Sequence, residues 1–173
     1  MKYLLFLLLL PIKSFAVNTW DLTDPSNLDI ANTYPNYQLL QILSFEDTGN
    51  GQSIIGFKTE KSNENWGPVF AASIALSKNG NQRIYIYTAR TCNNTQKRYE
   101  DIILKTNEKN VRYSKYCDGS IEYLTPRTTA GDNFLESEFK KKNVVVIEFS
   151  DIKLVFDARG FTKAWNSKGG DAL

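Results

Sequence analysis

Between residues 37 and 156 the chain is cut into short apolar and aromatic runs, each stopped by Gly, Asn, Asp, Pro or Ser. That punctuation restricts the fold more than any other feature. Runs of about five to nine residues have the usual length of a strand and are short for a helix with its own core face. The clearest is "RIYIYTA" at 83–89, where Ile84 and Ile86 fall on one face and Tyr85 and Tyr87 on the other. It follows Asn79-Gly80-Asn81, and Asn-Gly suits the positive φ of a tight hairpin.

The same reading places strands at 37–45, 53–59, 69–77, 83–89, 101–105, 111–116, 120–124, 144–149 and 152–156. Thr48-Gly49-Asn50-Gly51 reads as a hairpin turn, 61–67 as a polar loop carrying Trp66, and Ser150-Asp151 as the last turn. Asp24-Pro25 and Tyr34-Pro35 are turn signals, and a short helical turn is expected near Ser26. The fold class is therefore mainly β: a β-sandwich or open barrel of about nine antiparallel strands.

Two helical segments decorate it. One late helix is expected from an N-cap at Asp132, with Phe134, Leu135 and Phe139 on its apolar side and Lys140-Lys141-Lys142 in its last turn, where cations suit the carbonyl end. After the final strand, Phe161, Ala164 and Trp165 stand at i, i+3 and i+4. That spacing predicts a C-terminal helical turn whose apolar face folds back as a plug over the core. Gly160 eases its entry and Gly169 stops it.

The first sixteen residues read as a signal peptide cleaved after Ala16: a basic start at Lys2, an apolar run with six leucines over 3–10, Pro11, then Ser14-Phe15-Ala16. Residues 17–173 are then a single β-rich domain in the periplasm or secreted medium. The run is too short for a membrane span, which needs about 20 apolar residues. Lys2 and Lys13 leave with the leader, so the basic count falls from 21 to 19 against 19 acidic residues. A formally neutral body argues against nucleic acid as a partner.

In an oxidising compartment the two cysteines, Cys92 and Cys117, are expected to form one disulfide. If 83–89, 101–105 and 111–116 form a meander, the cysteines leave strands two apart, about 9.5 Å from each other. A disulfide cannot reach that far, so they must lie where the end loops bend over the middle strand, or on facing sheets.

The chain has no His and one Met. That removes Ser-His and Cys-His nucleophile pairs and the commonest zinc ligand. The local carboxylate pairs Glu46-Asp47, Glu100-Asp101 and Glu148/Asp151 read as solvated turns and edges, and neither "NSKGG" nor "LSKNG" departs from a polar turn. Asn93-Asn94-Thr95 is a formal glycosylation sequon. No catalytic residue, metal site or cofactor is predicted. The tyrosines form the candidate binding face: Tyr85, Tyr87, Tyr113, Tyr116 and Tyr123, with Tyr113 and Tyr116 on opposite faces of their strand. Stiff, amphipathic rings suit protein contacts or sugar stacking, and they also suit a sheet face covered by the protein itself.

The C-terminal third carries a resemblance. "YCDGSIEYLTPRTTAGDNFLESEFKKKNVVVIEF" followed by "FDARGFTKAW" resembles the invasion-associated locus B family of exported bacterial proteins. The matching positions are Cys117, Gly119, Ile121, Phe134/Leu135, 144–149, Gly160, Phe161 and Ala164, within roughly 116–165. Trp20 matches an early Trp of that family, but no Cys follows it here. The resemblance implies an all-β exported domain linked to host-cell association, with no catalytic residues to carry over. The expected function is an exported, non-catalytic domain that binds another protein of the envelope, a host or a toxin. The alternatives are a periplasmic immunity or inhibitor protein, and a carbohydrate-binding or carboxylate-based glycan-active protein.

Overall fold

The computed structural model describes residues 18–20, 37–59, 66–92, 98–148 and 152–168. The leader, the turn near Ser26, residues 61–65 of the loop expected at 61–67, the sequon, Ser150-Asp151 and Gly169 lie outside the described residues; the rest of that loop is corrected, because Trp66 and Gly67 pair with Lys58 and Phe57 and open a strand.

The strands are β1 (Asn18–Trp20), β2 (Tyr37–Leu43), β3 (Gln52–Thr59), β4 (Trp66–Leu76), β5 (Gln82–Thr91), β6 (Arg98–Thr106), β7 (Lys109–Cys117), β8 (Ile121–Pro126), β9 (Val144–Glu148) and β10 (Ile152–Asp157). All belong to one sheet in the order β1-β10-β9-β6-β7-β8-β5-β4-β3-β2. Nine strands pair antiparallel, and β1 adds a short parallel edge on β10. β10 comes back into contact with β2 and β3, so the sheet curls into a nearly closed barrel. Of the two predicted architectures the barrel is the one adopted.

The core follows from strand alternation. Ile55, Ile74, Ile84, Ile86, Leu104, Val111, Tyr113, Leu124, Val145, Ile147, Leu154 and Phe156 are all buried in one cluster. Three helices contribute to it: α1 (Phe45–Thr48), α2 (Thr129–Lys141) and α3 (Phe161–Lys168). Phe45, Phe139 and Phe161 meet edge-on or tilted, with ring centroids 5.1–5.7 Å apart, and Trp165 lies against Phe161 at 5.3 Å.

The C-terminal plug is real, and longer than the predicted turn. Phe161 is fully buried, while Ala164 and Trp165 are partly buried against the core. Gln82 Nε2 donates to the Trp165 carbonyl at 2.8 Å, and Lys168 Nζ to that of Ile74 at 3.3 Å. Gly160 has φ 78°, and a Cβ there would lie 2.6 Å from the Glu46 amide nitrogen. That nitrogen donates to the Arg159 carbonyl at 3.1 Å.

Three other local expectations are corrected. Phe45 does not end a strand; it opens α1. Ser44 Oγ accepts from the Asp47 N–H at 3.1 Å, and the Asp47 carboxylate accepts from the Ser44 N–H at 2.9 Å. This capping box overrides the strand propensity of 37–45. The turn predicted at Thr48-Gly49-Asn50-Gly51 is thus a helix end, with Gly49 left-handed at φ 63°. The late helix starts earlier than Asp132, because Thr128 is the N-cap and its hydroxyl accepts from the Gly131 N–H at 3.1 Å. Finally, β5, β6 and β7 are no meander, since β8 inserts between β7 and β5.

The last correction explains the disulfide. Cys92 and Cys117 are bonded, with Cα atoms 6.0 Å apart. β5 and β7 are indeed two strands apart, but β8 begins only at Ile121. Thr91 pairs with Ile121 and Cys117 with Glu122, so the bond ties the ends of β5 and β7 across the start of β8, where the Cys92 N–H donates to the Ser120 carbonyl at 2.9 Å.

Candidate functional site

The outer surface of β5, β8 and β7 carries the tyrosines. Register pairs Tyr87 with Tyr123 and Tyr123 with Tyr116, so three rings from three strands stand in one row. Tyr116 stacks on Tyr123 at 5.3 Å and 8°, Tyr87 leans on it at 5.7 Å, and Tyr85 meets it edge-on at 5.8 Å. Each of the four is half-buried. Burial holds the phenols of Tyr85, Tyr87 and Tyr123 above the usual tyrosine range. They stay neutral, able both to donate and to accept.

Tyr113 does not belong to this face. It lies three residues before Tyr116, which puts it on the opposite side of β7. There it is fully buried, with its hydroxyl 2.7 Å from Thr106 Oγ1. Burial pushes its pKa well above the ordinary value, and its role is to fill the core.

Tyr85, Tyr116 and Tyr123, together with buried Thr125, floor a groove of about 600 Å³. The Ser77–Gln82 hairpin forms one wall, and Thr129, Asp132, Asn133 and Glu136 of α2 the other. Arg83 shares the outward parity of Tyr85 and Tyr87 and clamps the helix in place. Its guanidinium lies 2.8 Å from Asp132 and also donates to the Pro126 carbonyl. Burial raises the Asp132 carboxyl even though Arg83 draws it down. Across the groove Arg127 pairs with Asp101, which also accepts from Ser114 Oγ at 2.9 Å. The sequence marks Asp132 as a cap and Asp101 as half of a carboxylate pair, but nothing local in it marks Arg83 or Arg127 as their partners. The legible signal was parity: 83, 85 and 87 share a face, as do 114 and 116.

Of the carboxylate pairs read from the sequence, Asp151 lies outside the described residues, and the other members are engaged separately. Strand alternation sends Glu100 to Lys115 at 3.0 Å and Asp101 to Arg127 on the other side. Glu46 and Asp47 are exposed on α1, where the Ser44 hydrogen bonds hold Asp47 below its usual value. Glu148 sits between Lys105 at 3.3 Å and Lys153 at 3.8 Å. Among the described residues, no group of three or more His, Cys, Asp or Glu side chains is placed to hold a metal ion. No helix among them is long and apolar enough to cross a membrane.

A second groove of about 590 Å³ lies between the β6–β7 tip, α2 and β9. It marks the weakest seam among the described strands, for β6 and β9 pair only at Lys105↔Glu148 and Thr106↔Ile147. Asn107, left-handed at φ 49°, extends the ladder. Its N–H donates to the Val146 carbonyl at 2.7 Å, and its side-chain oxygen accepts from the Val146 N–H at 2.9 Å. Ordinary strand signals did not reveal this residue.

No protein-family model matches the chain, and neither a curated protein nor a solved structure shows significant similarity to it.

Proposed function

We propose that this chain is an exported, non-catalytic recognition domain that engages another protein through the tyrosine groove. One observation carries the reading. Three half-buried tyrosines, Tyr85, Tyr116 and Tyr123, lie at the floor of a concave site whose walls are fixed by ion pairs and by a helix packed into the core. Rings held in place before binding offer contact area at little entropic cost. Fixed donors and acceptors around them supply specificity. The leader-like residues 1–16 support export, and the resemblance of the C-terminal third to the invasion-associated locus B family supports a role at the cell surface. A partner in the envelope, in a host or in a toxin fits this reading.

The test is retention from an envelope extract on the immobilised protein in moderate salt, wild type against Asn133→Trp. Asn133 is exposed on α2 at the groove wall, so the substitution fills the groove and leaves the core untouched. A specific protein retained by the wild type and lost with the variant is expected. Equal retention by both would defeat the proposal.

A further inference from the structure

We propose that the part of the partner this groove takes is a neutral glycan chain; this rests on the groove being the recognition site. Charge comes first. Lys78, Arg83 and Arg127 border the groove together with Asp132 and Glu136, and of these Arg83 pairs with Asp132, Arg127 with Asp101 and Glu136 with Lys140, so neither sign dominates. A strongly charged ligand finds no opposing field there. The guanidiniums are also engaged, Arg83 by Asp132 and the Pro126 carbonyl, Arg127 by Asp101. Bidentate capture of a phosphate or carboxylate would first have to break an ion pair.

An aliphatic ligand fares no better, because the walls present amides, hydroxyls and charged heads, and each would lose water without gaining a partner. A sugar hydroxyl donates and accepts at once. It can sit between a carboxylate, an amide and a guanidinium N–H with nothing rearranged. The apolar C–H face of a pyranose packs on an aromatic ring. Tyr123 is already flanked by three other tyrosines, whereas Tyr85 and Tyr116 border the groove at the ends of the cluster. Those two are the rings such a chain would stack on.

The source is a glycoprotein, as the protein partner requires; a free polysaccharide offers the same chemistry and is an outcome of the test. The full chain with its disulfide intact is titrated with maltohexaose, chitohexaose and laminarihexaose, with hexagalacturonate as the acidic control. Tyrosine ring resonances are the readout. At least one neutral probe should shift Tyr85 and Tyr116 saturably, with an affinity that added salt leaves unchanged. Tyr116→Ala should weaken it about tenfold while the melting curve stays cooperative. Enzymatic deglycosylation of the retained partner should abolish its retention; a deglycosylated partner retained as before, or a polysaccharide fraction retained with no protein, overturns the glycoprotein assignment. Binding of none of the neutral probes at millimolar concentration, or salt-sensitive binding of the galacturonate alone, overturns the inference. If Asn133→Trp still abolishes retention of a protein in that case, the groove remains the recognition site and only the glycan is refuted. If Asn133→Trp leaves retention unchanged, the recognition reading itself has failed.

Discussion

Tyr113 and Tyr116 show how much a single residue's position decides. Both are tyrosines of one strand, three apart, yet one is sealed against Thr106 in the core and the other stacks on Tyr123 outside. Tyr113→Phe keeps the ring and removes the hydroxyl, leaving Thr106 Oγ1 without that partner. It should cost about 1–2 kcal/mol by urea denaturation and leave binding unchanged. Tyr116→Ala should act on binding. Asp47 carries a pH dependence. Its folded pKa is depressed by the Ser44 hydrogen bonds, so its contribution is present above the unfolded value, about 4, and is lost as pH falls through the folded value. Asp47→Asn should remove that part of the acid limb and lower the melting temperature slightly near neutral pH, since the amide oxygen still accepts from Ser44 but without its charge. Thermal melts between neutral and acid pH would show both effects. Parity was legible at these positions because it needs only neighbours in sequence. The capping box at Ser44 and Asp47 is hidden in the sequence beneath the stronger strand signal of 37–43.

Among the elements, the C-terminal plug was the most legible and the α2 groove wall the least. Phe161, Ala164 and Trp165 announce a helical face by spacing alone, and the structure puts Phe161 against Phe45 and Phe139. Phe161→Ala should cost about 3–5 kcal/mol, the usual price of deleting a buried aromatic ring. Gly160→Ala should destabilise by a separate mechanism, because a Cβ meets the Glu46 backbone at a positive φ. Both show up as lowered urea midpoints. By contrast, the ion pairs that fix α2 over the sheet join positions 49 residues apart in one case, Arg83 to Asp132. No local pattern reports such a contact. The same holds for β8 slipping between β5 and β7, which depends on pairing rather than on propensity.

Across the whole molecule, the barrel is held by helices on its core and by one covalent tie. The Cys92–Cys117 bond links β5 to β7 beside Tyr116, the first ring of the tyrosine row. Replacing both cysteines by alanine should cost about 3–4 kcal/mol in the chain-entropy view. Amide exchange should rise first at the Thr91, Tyr116 and Ile121 ends of those strands, since the aromatic plug packs without them. The overall class was readable because repeated short runs with turn residues leave few architectures open. The choice of barrel over sandwich was not, because closure of β10 on β2 and β3 is a long-range event.

The central claim is that recognition happens in the tyrosine groove. A photoreactive phenylalanine analogue placed at Asn133 and, separately, at Lys153 in the second groove tests it most directly. Irradiated in an envelope extract, the account predicts a discrete covalent adduct from position 133, suppressed by excess unlabelled protein, and none from 153. An adduct from 153 alone would contradict it.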